Sequence, residues 1–327
     1  MTKQNVLFIL IGLNFVLGLI YSVMLTTRLS LDDHLNISIK DDINQYDKKG
    51  IHNVQHLKYE WDNGTVPKSN QTKDFFNDSN ILTNVLIERF IVIPKHKLLF
   101  CYIDKVGCTM FNKLFFELEK KRPPPKKPKR GIWFKNTPEV HNLTKKDLEH
   151  AMMNPEWTKA VFYREPKERF LSGYTSKCVK GHDNDVNHCK KAFGLFDVSF
   201  EQVLHKLETE DGRKRAQEDV HFREAGEFCG GLTNTIQYYD FVEELTKETA
   251  PVKVQKLLEK IGVERKRTER LVNRYVATSN FQTKEHVTNA DKNMCEYYTN
   301  LAKISLIEDI YKDDYKLFNI SRNKTFC

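Results

Sequence analysis

Lys105, Gly107 and Thr109 in YIDKVGCT (102–109), and Arg164 and Ser172 in FYREPKERFLSGY (162–174), are residue types that grip anions. Lysine supplies a mobile cation, the hydroxyls supply donors, and arginine supplies a planar fork that matches a phosphate. Each set follows a short apolar run of strand length, KLLFCYI (97–103) and AVFY (160–163), and precedes a helical pattern. A strand, a turn and a helix start place free backbone N–H groups and the positive end of a helix dipole where an anion can use them. Two such units predict a ligand held at two charged ends, and therefore an enzyme that moves a charged group.

The first unit is not a Walker A loop, because GxxxxGK[ST] is absent and the lysine precedes the glycine. Its helix is expected from near Cys108, with Met110, Phe111, Leu114, Phe115 and Leu118 at helical spacing. Alone, KVGCT also describes an ordinary buried strand and a capped helix. In the second unit Pro166 suits the first turn of a helix, and Arg169, Phe170, Ser172 and Tyr174 lie along it. A surface salt-bridge network of Glu165, Lys167, Glu168 and Arg169 is the competing reading. It does not account for Arg164 directly after an apolar strand.

The pair KVGCT and REPKERFLSGY resembles the two nucleotide-binding motifs of the Golgi carbohydrate sulfotransferases, nearest to the chondroitin/dermatan 4-O-sulfotransferase type with its sulfotransferase family 2 domain. DVHFREAGEFC (219–229) is similar to that family's Asp-x-His-aromatic segment, and IYKDDYKLFNI (310–320) to its C-terminal helix, so the likeness covers roughly residues 90–320. The resemblance implies 3′-phosphoadenosine 5′-phosphosulfate (PAPS) as co-substrate. By the match, Lys105, Gly107, Cys108 and Thr109 would hold its 5′-phosphosulfate and Arg164 and Ser172 its 3′-phosphate, with Val106, Glu165 and Arg169 counted among the cofactor-binding residues. It also implies an α/β fold, a P-loop-like parallel sheet flanked by helices. Lys167 stands where the family usually has an aromatic or apolar residue, and Phe222 where it often has Trp, marking a divergent member.

Several features predict a luminal membrane protein. Residues 4–27 carry no charge, and Val6–Leu25 is long enough to span a bilayer. A short cytoplasmic tail (1–5), a signal anchor (6–27), a stem (28–85) and a catalytic domain (86–327) are expected, in single-pass type II orientation in the Golgi membrane. A cleaved signal peptide is the rival. Seven Asn-x-Ser/Thr sequons fit luminal exposure, at Asn36, Asn63, Asn70, Asn77, Asn142, Asn319 and Asn323. Of seven cysteines, Cys101 and Cys108 are expected to be unpaired, and Cys178–Cys189 is the favoured disulfide. A zinc site of Cys178, His182, His188 and Cys189 is weaker, because no second paired-ligand spacing accompanies it.

The net charge is +8, and KKRPPPKKPKR (120–130) holds seven basic side chains and no acid. Its prolines favour an extended strip. On a luminal enzyme that strip would steer a glycan or proteoglycan polyanion, whereas the anchor argues against nucleic acid. A solvated loop without a partner is the plain alternative. Val254, Leu257, Leu258 and Ile261 mark a core helix closed by Gly262. Ile307, Ile310, Tyr311 and Asp314 mark a last helix, expected to pack on the sheet.

The expected reaction is in-line transfer of a sulfuryl group to a sugar hydroxyl, on N-acetylgalactosamine in chondroitin-like chains by resemblance. Lys105 would neutralise the leaving oxygen, and His221 would accept the hydroxyl proton, with His141 as the other candidate base. No metal is expected. Two other readings are a catalytically inactive glycan-binding membrane protein and a membrane-tethered phosphotransferase. The intact Lys105, Arg164 and Ser172 oppose the first; the missing Walker lysine and magnesium signature oppose the second.

Overall fold

The computed structural model describes residues 81–120, 136–179, 187–195, 197–277 and 290–322, all within a compact unit running from Ser69 to Cys327. The expected anchor and stem up to residue 80, the basic tract beyond Lys120, His182, Asn323 and Cys327 lie outside the described residues. No helix among the described residues is long and apolar enough to cross a membrane.

Four strands form one sheet in the order β1 (Phe90–Ile93), β2 (Leu98–Cys101), β3 (Thr158–Tyr163) and β4 (Phe241–Glu244). β2, β3 and β4 run parallel, but β1 is antiparallel to β2, which corrects the expectation of a parallel sheet. The reason is connection length. Only a one-turn 3-10 helix (Pro94–His96) and Lys97, at φ 45°, separate β1 from β2. A parallel pairing needs a crossover of a dozen residues or more. β2 reaches β3 through α1 (Cys108–Lys120) and α2 (Lys145–Met153). β3 reaches β4 through α3 (Pro166–Lys177), α4 (Asn187–Phe193), α5 (Phe200–Leu207), α6 (Glu210–Gln217) and α7 (Leu232–Thr235). After β4 come α8 (Ala250–Lys260), α9 (Arg265–Tyr275), α10 (Ala290–Tyr297), α11 (Leu301–Ile310) and α12 (Lys312–Leu317).

Every residue of β1 and β2 is buried, as helix-covered strands require. α1 lays Phe111 and Phe115 on Phe100 of β2, with ring centroids 4.6 and 4.9 Å away, and Phe111 also stacks on Phe162 of β3 at 5.0 Å. Ala250–Lys260 forms the expected core helix, with Gly262 at φ 73° beyond its end.

A second core lies away from the sheet. Ile307, Ile310, Tyr311 and Tyr315 join Phe170, Leu171 and Tyr174 of α3 with residues of α4 and α5. The C-terminal helices therefore pack chiefly on α3 and its neighbours, and they meet the sheet, as expected, where Phe318 at the end of α12 stacks on Tyr163 of β3 at 4.4 Å. Their anchor is Asp314, which is buried and accepts hydrogen bonds from the backbone N–H groups of Ala225 (2.8 Å) and Gly226 (3.0 Å).

Two disulfides brace this arrangement. Cys178–Cys189 joins the end of α3 to α4, as expected. Cys101, expected unpaired, instead bonds Cys229 and ties the end of β2 to the segment before α7. Local sequence could not show this pairing across 128 residues. Cys295 is also disulfide-bonded, and Cys108 is a free thiol. Upstream of residue 86, Leu82 is buried, and Thr83 and Val85 exchange backbone hydrogen bonds with Gly230.

Candidate active site

β2 and β3 are adjacent and parallel, so the turns that leave their C-terminal ends lie side by side. Open α/β sheets bind ligands at this edge. After β2 the chain turns sharply, with the Val106 N–H donating to the Ile103 carbonyl (3.1 Å). Lys105 is left-handed at φ 69° and Gly107 at φ 67°. A lysine held there is an uncommon backbone state that a functional turn can retain. The angle at Gly107 favours glycine, and a Cβ there would also press on the Leu245 side chain at 3.0 Å. The turn buries Val106 and leaves Lys105, Gly107, Cys108 and Thr109 partly exposed.

Arg164 reaches across from the end of β3. Its Nη1 donates to the Lys105 carbonyl at 3.4 Å, and its Nη2 bonds the Glu168 carboxylate. The two cations therefore share one edge of the sheet. Burial pushes the Lys105 ammonium down to about 8; Cys108 and Asp104 oppose this, while Lys177 and Arg164 reinforce it.

The remaining residues of the second motif turn inward. Glu165, Arg169 and Ser172 are buried. Glu165 caps α3 by accepting the Glu168 N–H (2.8 Å), and it also accepts the Tyr315 hydroxyl. Arg169 lies over the Tyr311 ring at 5.4 Å, 3.5 Å from Asp314, and donates to the Arg223 carbonyl. Lys167 pairs with Glu308 and lies 3.7 Å from Glu165. Of the competing surface network only Lys167 beside Glu165 remains; Lys167 and Arg169 pair inward with Glu308 and Asp314 and so fasten α3 to α11 and α12, while Glu168 pairs with Arg164.

His221 lies in the segment that crosses α3. The bare Cα of Gly173 permits this approach, since a Cβ there would sit 3.0 Å from both the His221 carbonyl oxygen and the Phe222 ring. Asp219 is buried and accepts from the His221 backbone N–H (3.0 Å) and from its Nδ1 (2.8 Å) through Oδ1. Its Oδ2 accepts from Nδ1 of His188 at 2.7 Å. Burial raises the Asp219 carboxyl, but the hydrogen bonds from both rings outweigh it and hold the group well below the usual carboxylate range. Burial lowers the His221 pKa, against Asp219 and Asp104. Lys105 and His221 share two charged neighbours, Asp104 and Lys177, which places the imidazole in the same electrostatic setting as the ammonium.

His141 is elsewhere. It lies 3.7 Å from Glu119, near the C-terminal end of α1, whereas Lys105 precedes that helix. Cys108 and Glu119, eleven positions apart, are separated by roughly 16 Å along the helix.

Asp104, Lys177 and His188 belong to the same constellation without having been expected there. Asp104 is held by Nε of Arg89 at 3.0 Å. Lys177 and His188 immediately precede the bonded cysteines Cys178 and Cys189, so the disulfide brings them near one another. Only the favoured Cys178–Cys189 pairing hinted at this.

Among the described residues, His188, Asp219 and His221 are the set that could hold a metal ion, their ligand atoms all lying within 4.8 Å of one another. Here both Nδ1 atoms are engaged by the carboxylate. The zinc set containing Cys178 and Cys189 is excluded by their disulfide. The site therefore offers two cations at neighbouring strand ends, suited to a ligand with two anionic ends, and an imidazole on a carboxylate, suited to taking a proton.

Residues 88–321 match the sulfotransferase family. The chain is 25% identical to carbohydrate sulfotransferase 9 of Homo sapiens over 71% of its own length and 53% of that protein's. It is 29% identical to carbohydrate sulfotransferase 11 of Danio rerio over 30% of its length and 28% of that protein's. It is 22% identical to an uncharacterized protein of Caenorhabditis elegans, over 60% of each chain. The chain thus spans less than two thirds of the length of each of these relatives. No solved structure is significantly similar to it.

Proposed function

The chain belongs to the sulfotransferase family, and from that membership we propose that it transfers a sulfuryl group from PAPS to a hydroxyl of a glycan. The observation that carries the reading is the Arg164 guanidinium on the Lys105 carbonyl, which joins the two cationic turns at one sheet edge. PAPS carries anions at its 3′ and 5′ ends. In this reading Lys105, with the turn Val106–Thr109, takes the 5′-phosphosulfate, and Arg164 takes the 3′-phosphate. Glu165, Arg169 and Ser172 stiffen the helix behind Arg164.

Transfer proceeds in line, with charge spread over the sulfuryl oxygens, so positioning and cationic stabilisation dominate. The Lys105 ammonium neutralises charge on the leaving phosphate oxygen. His221 Nε2 takes the proton of the attacking hydroxyl while Nδ1–H stays on Asp219. The balance is complete: an O–S bond forms to the sugar, the S–O bond to the phosphate breaks, and adenosine 3′,5′-bisphosphate leaves.

The names of two relatives support a carbohydrate acceptor; N-acetylgalactosamine in chondroitin-like chains is the proposed sugar. The disulfides and the exposed sequon residues Asn142 and Asn319 favour an oxidising, glycosylating lumen. A Golgi type II protein anchored by residues 6–27, with the basic tract 120–130 steering the polyanion, completes the proposal.

The test is incubation of the full chain with PAPS labelled in its sulfate and a panel of desulfated glycans. Label should enter a galactosaminoglycan and require PAPS. Transfer to none of the panel, or phosphate transfer from ATP in its place, would overturn the reading.

A further inference from the structure

We propose that His188 is a positioning residue for the reaction, the second imidazole of a pair bridged by Asp219, which fixes the carboxylate and the ring of His221. The proposal rests on the function given above and adds to it a residue that the motifs do not contain.

The geometry is specific. An ionised carboxylate only accepts hydrogen bonds, so the Nδ1 atoms at 2.7 and 2.8 Å from the two Asp219 oxygens must each carry hydrogen. For His221 that selects the tautomer with a lone pair on Nε2, which a general base needs. Asp219 can do this only if its own plane is fixed. Oδ1 is fixed by the His221 backbone and ring, while Oδ2 receives Nδ1 of His188. Without that second donor, a buried carboxylate oxygen loses a hydrogen bond and the group can rotate about its Cβ–Cγ bond.

His188 acts a second time through its ring. The imidazoles of His188 and His221 meet edge to face, with centroids 4.2 Å apart and planes at 70°. This contact limits rotation of the base. His188 is delivered from outside the local motif, since it lies on α4, next to Cys189, whose disulfide to Cys178 clamps α4 to α3. The base segment, α3 and α4 thus meet at one carboxylate.

Three variants of the full chain test this, assayed with PAPS and an acceptor from the glycan panel. His221→Ala should lower kcat roughly a hundredfold or more, the scale of a general base. His188→Ala should lower kcat about tenfold, a part of that effect, with KM for PAPS unchanged. His188→Asn places an N–H donor where Nδ1 was and should return kcat to within about threefold of wild type. Wild-type kcat in His188→Ala, or His188→Asn as slow as His188→Ala, overturns the proposal. So does loss of wild-type activity on chelation with recovery on added zinc, since the trio would then be a metal site. Nitrogen-15 spectra of histidine-labelled protein need no turnover. They should show His221 as the Nδ1–H tautomer in wild type and a mixture in His188→Ala; an unchanged tautomer contradicts the claim. If no acceptor takes sulfate, the functional reading fails by itself while the spectra still decide the role of His188.

Discussion

Lys105 has its pKa lowered to about 8, chiefly by burial, and this makes its role visible in a pH profile. The ammonium is present below that value and lost as pH rises through it, so kcat/KM for the donor should fall on the alkaline side near pH 8. An anionic donor favours the protonated form, and the corresponding limb of kcat should lie at higher pH. On the acid side activity should fall as His221 gains a proton, below the usual histidine range because burial disfavours its charge. An alkaline limb near the ordinary lysine value would contradict the role of Lys105. Lys105→Ala should cost roughly 10²–10³ in kcat, the effect of removing one electrostatic stabiliser, without unfolding the protein. At this scale the turn residues and His221 were legible as candidates, because each belongs to a short local pattern. It could not separate Arg164, which points along the sheet edge, from Glu165 and Arg169, which point inward. A helix motif shows composition but not which face is buried. Asp104 and Lys177 were invisible for a related reason, and His188 was read only as a candidate zinc ligand, since its pairing with Asp219 is a tertiary contact.

At the scale of elements, α3 connects the proposed donor site to the proposed base. Its buried side chains hold α11 and α12 on one side, and Gly173 accepts the His221–Phe222 segment on another. Gly173→Ala would press a methyl against a backbone carbonyl and a buried ring, neither of which moves cheaply. The expected cost is about 1–3 kcal/mol in urea denaturation, with a loss of kcat larger than the loss of donor affinity. Normal stability and normal kcat would show that this approach is not tight. β2, β3, α1, α3 and α8 were legible, because a continuous or helical apolar pattern marks each of them. The antiparallel β1 and the packing of the C-terminal helices on α3 were not. Both depend on which face meets which neighbour, a property of the assembled chain.

Across the molecule, two disulfides close very different loops, 128 and 11 residues apart in sequence. Loop-closure entropy grows slowly with length, by about 0.6 kcal/mol per doubling. Replacing Cys101 and Cys229 by serine should therefore destabilise the fold by about 2 kcal/mol more than replacing Cys178 and Cys189. The shorter bridge flanks Lys177 and His188, so its loss should lower kcat more than its share of stability would indicate. Equal urea midpoints for the two double variants would contradict the first expectation, and undiminished turnover without the short bridge the second. The family was legible from two motifs because anion binding at strand ends needs few residues at fixed spacing. The acceptor was not, since it is read by surfaces assembled from distant segments.

Donor binding tests the central claim most directly. The full chain, with PAPS and separately with adenosine 5′-phosphosulfate, which lacks the 3′-phosphate, is titrated by calorimetry. Wild type should prefer PAPS by roughly ten- to a hundredfold, the value of one charge-assisted phosphate contact. Arg164→Ala should erase that preference while leaving the weaker ligand unaffected. Equal affinity of wild type for both ligands, or a preference that survives Arg164→Ala, would contradict a donor clamped at its two ends by Lys105 and Arg164.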